Sequence, residues 1–385
     1  MKLLYVIVSM GLGGAEQHLL RVSSALHRRG FEPEIFVILP GGPLTSAFVE
    51  AGVPVHGAHL PGWLARFLRD RRLIAGFGLF FSAFALLRLY WRLRPRIVHF
   101  FLPAAYLVGG LVSLFGPRMR RIMSRRSLNL YQAKHASSRA MEHWLHSRMT
   151  FISGNSQAVV NDLLGEGVER ERLRLIYNGV NVDRFNDVRS REYVRAGLGV
   201  SGDTLVFAIV ANLLPYKGHA DLIQAFSLVR AQMPGPWVCL CIGRDDGIGD
   251  ALRAQAEAAG VASNLLFLGS RQDVPDLLCA ADIGILCSHE EGFSNAILEG
   301  MAAALPMVVT RVGGNAEVVL DGETGLVVAP QAPDELGQAL LAVALDPMRK
   351  EKGLLGRSRV ESVFSMEACL QAYEDLYRDC DRRTV

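Results

Sequence analysis

Two carboxylates eight residues apart, Glu291 and Glu299, carry the clearest chemical signal in this chain. The apolar run 283–286 reads as a strand, and the loop after it enters a helix near Asn295. Glu291 then stands at the carboxyl end of a strand. The amides of Phe293, Ser294, Asn295 and Ala296 form a helix N-terminus, and Glu299 lies about one turn into that helix. Such a pair can accept hydrogen bonds from hydroxyls on two parts of one sugar-containing ligand. A solvated acidic loop followed by a helix-start Glu would have the same composition. Gly11, Gly13 and Gly14 are a second candidate: they follow the first apolar run and open a helix, where backbone amides can approach a phosphate. Their spacing is not the dinucleotide pattern, because Glu16 holds the third glycine position and no acidic residue closes a second strand further on. A tight turn made for packing fits these glycines equally well.

Short apolar β-type runs alternate with helical periodicity along almost the whole chain, the pattern of parallel α/β sheets. In the first half the strands are expected at 3–8, 34–39, 97–100, 151–153 and 173–176, and the helices at 15–29, roughly 64–93, 104–115, 138–148 and 157–164. A second series of strands follows the polar stretch 181–203, at 205–210, 238–242, 265–268, 283–286, 307–309 and 326–328, with helices at 219–230, 250–259 and 295–303. Two doubly wound domains in tandem are expected, with ligand crevices at the carboxyl ends of their strands, facing one central cleft. The first domain should span 1–185 and the second 186–363, with a final helix at about 364–385 packing back on the first.

The formal charge of +3 conceals two unlike halves. Residues 1–180 hold 23 Lys and Arg against 10 Asp and Glu, whereas 181–385 hold 18 against 28. Within 51–150 the skew is 16 to 2, which asks for an anionic partner. The same region contains 73–87, fifteen residues without a charge. Arg66, Arg69, Arg71 and Arg72 flank it on one side, and Arg88, Arg92, Arg94 and Arg96 on the other. That is too short to span a bilayer. A helix buried against the sheet is the plain reading. The aromatics Trp63, Phe67, Phe77, Phe80, Phe81, Phe84, Tyr90 and Trp91 and the cationic ends also suit a helix lying in a membrane interface. Arg118, Arg120, Arg121, Arg125 and Arg126 read as a second basic cluster for anionic lipid. Nucleic acid is a poor fit, since no reader motif accompanies the charge.

All six cysteines lie after residue 238, without a C-x-x-C pair or zinc-ligand spacing, so a reduced, intracellular chain with no structural metal is expected. The start, Met1 and Lys2 before the apolar run 3–8, reads as a first strand and not as a leader.

Glu291 to Glu299 resembles the E-x7-E motif of the family-4 retaining glycosyltransferases, which have the GT-B fold. The surroundings resemble that family in order. Gly13, Gly14 and Glu16, then Ile97, Val98 and His99, then Asn178, Gly179 and Asp183, then Lys217 and Gly218 match in turn. Gly269, Arg271, Asp273, Val274 and Leu277 match its G-x-R-x-D-V-x-x-L stretch, and Gly313, Gly314 and Glu317 follow. The resemblance implies an enzyme that moves a sugar from a nucleotide-sugar donor to an acceptor hydroxyl. Glu291 would bind donor-sugar hydroxyls beside the amides of Phe293, Ser294 and Asn295, and Glu299 the ribose. Lys217 would neutralise the diphosphate, with Gly13 and Gly14 approaching the phosphates from the other domain. Arg271 to Val274 would border the base. His99 would line the cleft near the reacting centre, as a neutral hydrogen-bonding wall or a proton acceptor. The implied chemistry is a front-face displacement with retention that requires neither metal nor cofactor.

Two positions depart from the family. Asn212 stands where an arginine is usual, and Arg244, closing the next strand on the same edge, is a candidate substitute, with Lys217 and backbone amides alone as the other possibility. Phe101 replaces the second histidine of an H-x-H pair. The acceptor is expected to be a lipid-linked glycan of bacterial cell-surface polysaccharide or lipopolysaccharide synthesis. The protein would then sit peripherally on the cytoplasmic, inner face of the plasma membrane. A nucleotide-sugar 2-epimerase and a non-catalytic sugar-binding relative are the alternatives.

Overall fold

The computed structural model describes residues 1–59, 71–128 and 136–382. The chain divides into two compact units, one comprising Met1–Tyr177 with Cys369–Val385 and the other Asn178–Ala368. In the first unit the order is β1 (Lys2–Ile7), α1 (Gly14–Arg28), β2 (Glu32–Val37), α2 (Thr45–Glu50), β3 (Val55–Gly57), α3 (Arg71–Leu93), β4 (Ile97–Phe101), α4 (Pro103–Ser113), β5 (Arg120–Arg125), α5 (Ala136–His146), β6 (Phe151–Gly154), α6 (Gln157–Gly165) and β7 (Leu173–Leu175). Seven parallel strands lie in the order β3-β2-β1-β4-β5-β6-β7. The near-continuous apolar runs of β1 and β4 follow from burial on both faces.

The second unit runs α7 (Arg191–Gly197), β8 (Leu205–Val210), α8 (His219–Val229), β9 (Trp237–Ile242), α9 (Gly249–Ala258), β10 (Leu265–Gly269), α10 (Val274–Cys279), β11 (Ile283–Leu286), α11 (Asn295–Ala302), β12 (Met307–Thr310), α12 (Asn315–Val318), β13 (Gly325–Val328), α13 (Pro333–Leu345) and α14 (Arg349–Val363). Its six strands are parallel in the order β10-β9-β8-β11-β12-β13. A last helix, α15 (Met366–Arg382), belongs mainly to the first unit. Both units are doubly wound α/β sheets, as the alternation of apolar runs predicted.

Two differences from the sequence reading carry information. The basic cluster at 118–126 is largely the strand β5, which apolar periodicity missed because arginines interrupt it. Arg121 donates to Ser113 Oγ and to the Ser113 carbonyl at 2.8 Å each. Arg125 is fully buried and paired with Glu142 at 2.8 Å and with Glu166. Arg121 and Arg125 thus hold the first unit together, which corrects their reading as part of a lipid-facing patch, whereas Arg118 is exposed.

The apolar run 73–87 falls in α3, and its two readings are two faces of one helix. Ser82, Leu86, Leu89 and Tyr90 are buried in the core beneath it, while Phe77, Phe80, Phe84 and Trp91 are exposed. The part of the expected helix before residue 71, with Trp63, Arg66, Phe67 and Arg69, lies outside the described residues. No helix among the described residues is long and apolar enough to cross a membrane.

Candidate functional site

In the second unit the strand order reverses between β8 and β11, and open α/β sheets bind ligands outside the carboxyl ends of strands at such a point. Lys217 and Glu291 flank it, one in the loop after each strand. Lys217 Nζ donates to Glu291 Oε1 at 2.6 Å, and Ser288 Oγ donates to the same oxygen at 2.8 Å. Both charged side chains keep some solvent contact, 19% for Lys217 and 12% for Glu291. Sequence reasoning singled out both residues and not Ser288.

The two loops are laced together. Gly218 adopts φ +75°, and a Cβ on it would strike the Cys287 carbonyl, so only glycine lets the Lys217 turn lie this close to the chain leaving β11. The backbone N–H of His289 donates to the Tyr216 carbonyl at 2.7 Å, and the His289 ring meets Asp221 at 2.7 Å. From the other side Thr310 Oγ1, ending β12, donates to the Ser288 carbonyl at 2.6 Å. Gly313 packs with φ +50° against the Glu291 carbonyl, where a Cβ has no room. The Gly314 N–H donates to the Gly292 carbonyl at 2.9 Å. Glu291 is thereby fixed by the loops of both neighbouring strands.

Beyond it, Ser294 is the extended N-cap of α11 and makes no side-chain cap, so the first amides of that helix are left to other acceptors. Phe293 is buried, with its ring 5.7 Å from Phe364. Asn178 Nδ2 donates to Asn295 Oδ1 at 2.7 Å, which anchors the helix start. Glu299 is half-buried one turn in. His219, the first residue of α8, is buried with neither ring nitrogen hydrogen-bonded, and burial together with the Lys217 charge pushes it down to about 4. Nothing in its sequence position had drawn attention to it.

The remaining second-unit candidates are bound up with carboxylates. Asn212 Oδ1 accepts the Arg244 N–H at 3.1 Å. The Arg244 guanidinium is 58% exposed and turned onto Asp246, at 2.7 and 3.1 Å. Arg271 is forked onto Asp273 at 2.8 and 2.7 Å, and Arg189 reaches the same carboxylate at 2.6 Å. With Arg271 the larger influence, the Asp273 carboxyl is pushed down to about 2. Val274 follows as the half-buried first residue of α10.

In the first unit Gly13 is the N-cap of α1 and Gly14 its first residue. A Cβ on Gly13 would collide with the Glu16 carboxylate, which folds back over the helix start and receives Ser9 Oγ at 3.4 Å. His99, expected to line a cleft, is 1% exposed instead. Its Nδ1 meets Tyr377 Oη at 2.9 Å and its Nε2 meets Ser124 Oγ at 2.7 Å. Burial, and secondarily Arg126, pushes it down to about 3, so it is neutral. Tyr377 also bonds Tyr5 at 3.0 Å, Tyr373 bonds His18 at 3.0 Å, and Ser124 bonds Ser153 at 2.6 Å. The tyrosines of α15 seal His99, a partnership that a strand-end motif cannot reveal. Spaced i, i+4, they were the available signal. No three His, Cys, Asp or Glu side chains among the described residues come together as metal ligands.

Known proteins resemble this chain along most of its length. The model of Glycosyltransferase Family 4 matches residues 12–184, and that of Glycosyl transferases group 1 matches 204–346. A D-inositol 3-phosphate glycosyltransferase of Corynebacterium glutamicum is 30% identical over 253 residues, 63% of this chain and 60% of the relative. An N-acetyl-alpha-D-glucosaminyl L-malate synthase of Bacillus anthracis is 25% identical over 59% of each. The matched part thus spans about three-fifths of the length of these relatives. In architecture the chain is similar to Anabaena HepE, solved in complex with UDP, with a TM-score of 0.83 at 21% identity over 98% of this chain and all of that one.

Proposed function

From the premise that this chain belongs to glycosyltransferase family 4, with the GT-B fold, we propose that it transfers a sugar from a nucleotide-sugar donor, with retention, to an acceptor hydroxyl. The observation that carries this reading is the Lys217–Glu291 pair at the switch point of the second sheet, held by glycine contacts beside the uncapped start of α11. A diphosphate leaving group gathers negative charge in the transition state, and a fixed cation with aligned amides stabilises it there more than in the ground state. Lys217 leaves Glu291 for the diphosphate, and Glu291 turns its freed oxygen to donor-sugar hydroxyls. Glu299 takes the ribose, and Arg271 and Val274 border the base. The bond from the anomeric carbon to phosphate breaks as the bond to the acceptor oxygen forms on the same face, and the departing phosphate oxygen takes the acceptor proton. No metal is needed on this reading, so a chelator should leave the rate unchanged. Gly13 and Gly14 would meet the phosphates, which requires the Glu16 carboxylate to move aside. His99 acts as a positioning residue, neutral and enclosed.

The donor is read as a uridine diphosphate sugar, by likeness to HepE, and the acceptor as a lipid-linked glycan at a membrane surface. Support for the latter is the 16-to-2 charge skew of 51–150 and the exposed aromatic face of α3. The test is a thermal-shift screen of nucleotide sugars followed by turnover, with the product anomer read by NMR. A donor that stabilises the protein and yields the retained anomer supports the reading. Stabilisation without transfer or hydrolysis would leave a binding protein, and an inverted anomer would overturn the displacement described.

A further inference from the structure

Outside the switch-point site, the largest unexplained feature of the first unit is a groove of about 900 Å³ between α3 and the sheet edge. Its floor is β3, the short edge strand, with Phe36 of β2 behind it. Its wall is the α3 face carrying Phe81, Phe84, Ala85, Arg88, Trp91 and Arg92. The volume lies within the range of small-molecule sites.

The groove opens onto apolar surface that a folded domain has no structural reason to display. Phe84 and Trp91 are each more than half exposed, as are Phe80 on the same helix and Phe115 beyond α4. Trp91 is held in place by its Nε1–H on the Phe115 carbonyl at 3.2 Å, so the aromatic face is ordered. A contiguous exposed apolar surface of this kind marks a binding site for protein, membrane or ligand.

Charge decides among these. Arg88 and Arg92 are exposed, four residues apart on one helix, and neither has a carboxylate partner among the described residues. Like charges at that spacing repel each other, and an anion bridging them removes the repulsion. Among the described residues no Asp or Glu lines the groove, and the one other titratable group there, His56, meets Glu34 at 2.6 Å. An apolar slot whose two rim cations have no carboxylate partner among the described residues matches a molecule with one hydrocarbon tail to bury and one phosphate to hold.

We infer that the groove between α3 and β3 takes one hydrocarbon chain of an anionic membrane phospholipid, with Arg88 and Arg92 on its phosphate. This deepens the membrane reading given above and rests on it. Withdrawing a chain into protein anchors a peripheral enzyme more firmly than surface charge alone, because each buried methylene adds to the affinity.

The test titrates the full chain with monomeric dihexanoyl phosphatidylglycerol, below its micelle concentration, by calorimetry. One saturable site is expected, with glycerophosphate alone and dihexanoyl phosphatidylcholine each binding at least tenfold more weakly. Ala85→Trp, which fills the slot, and Phe84→Asp, on its exposed rim, should each weaken the lipid by at least tenfold. Both should retain the donor-dependent thermal shift, which shows that they are folded. The Arg88→Ser, Arg92→Ser double variant should lose the preference for phosphatidylglycerol over phosphatidylcholine.

Absence of saturable binding, or binding indifferent to both Ala85→Trp and Phe84→Asp, overturns the inference. Sedimentation with mixed phosphatidylglycerol and phosphatidylcholine vesicles separates two failures. Vesicle binding without monomer uptake removes the slot and keeps the membrane surface, whereas binding to neither removes both. A wild-type dimer that Phe84→Asp dissolves in lipid-free buffer would assign the face to self-association and overturn the inference.

Discussion

The two sheets share one strand order around their centres, yet the central strands of each serve opposite ends. In the second unit the carboxyl edge carries a part-exposed ion pair, Lys217 and Glu291, on loops braced by Gly218 and Gly313. In the first, Tyr5 within β1 and His99 within β4 lie under Tyr373 and Tyr377 of α15, in a buried, uncharged web that includes His18 and Ser124. The same topology thus yields one edge that keeps charge available and another that spends its polar groups on each other. Buried polar atoms must be satisfied internally, so the second arrangement is rigid. A charge pair in contact with water can exchange partners at modest cost, as binding an anionic ligand requires.

The largest effect that would break this contrast is at the exposed edge. Lys217→Ala and Glu291→Ala should each lower kcat by roughly a hundredfold or more, the size seen when one electrostatic stabiliser is lost. Thermal midpoints should stay close to that of the wild type, because neither side chain is core. Steady-state rates on the donor found by screening, with melting curves alongside, decide the matter. Turnover within about tenfold of wild type, roughly 1.4 kcal/mol of barrier, would remove the residue from the site.

At the sealed edge the order of effects should reverse, with stability falling before chemistry. His99→Ala leaves the Tyr377 and Ser124 hydroxyls short of partners and should cost about 3 kcal/mol, at 1–3 kcal/mol per buried group left unsatisfied. Tyr377→Phe keeps the ring and should cost about 1 kcal/mol. Urea unfolding measures both. A His99→Ala protein as stable as the wild type but inactive would return His99 to direct chemistry.

The same histidines impose a pH signature. Burial holds His99 at about 3 and His18 well below its ordinary value, so both stay neutral in the folded protein. The unfolded chain protonates them below about pH 6.5. Their contribution is therefore present above that pH and is lost as pH falls toward 3, at up to about 1.4 kcal/mol per pH unit for each histidine. In His99→Gln the slope of unfolding free energy between about pH 6 and pH 4 should drop by one proton's worth. Parallel slopes for wild type and variant would show that His99 titrates normally.

Much of the exposed edge was legible in the sequence. Strands 205–210 and 283–286 have the predicted bounds in the structure; the loop after the second carries Glu291, which the spacing of types singled out, and the loop after the first carries Lys217, which the family resemblance implied. Local pattern suffices there because strand, turn glycine and ligand-facing residue are contiguous. The sealed edge was not legible, since His99 and Tyr377 are 278 residues apart and only the fold brings them together. β5 was missed for a related reason. Arginines in a strand look like surface until Arg125 is seen buried between Glu142 and Glu166.

The smallest expected effect concerns Arg244, read from sequence as a substitute for the cation that Asn212 lacks. Its guanidinium is forked onto Asp246 in the open, and its place on the edge of the sheet is fixed by its backbone N–H on Asn212, which any residue can provide. An exposed pair of this kind contributes between zero and about 1 kcal/mol, so Arg244→Ala should leave the melting midpoint nearly unchanged. For activity the two roles separate cleanly. If Arg244 stays with Asp246, the variant turns over within about twofold of wild type, and Lys217 with the α11 amides carries the diphosphate. If donor binding draws Arg244 away, the variant loses tenfold or more, and Asp246→Asn, which frees the guanidinium, should tighten the donor instead. Equal weakening by both substitutions would mean that the pair shapes the loop after β9 and that neither charge meets the phosphates. The expected result is the first, because nothing but Asp246 is needed to account for where the Arg244 side chain lies.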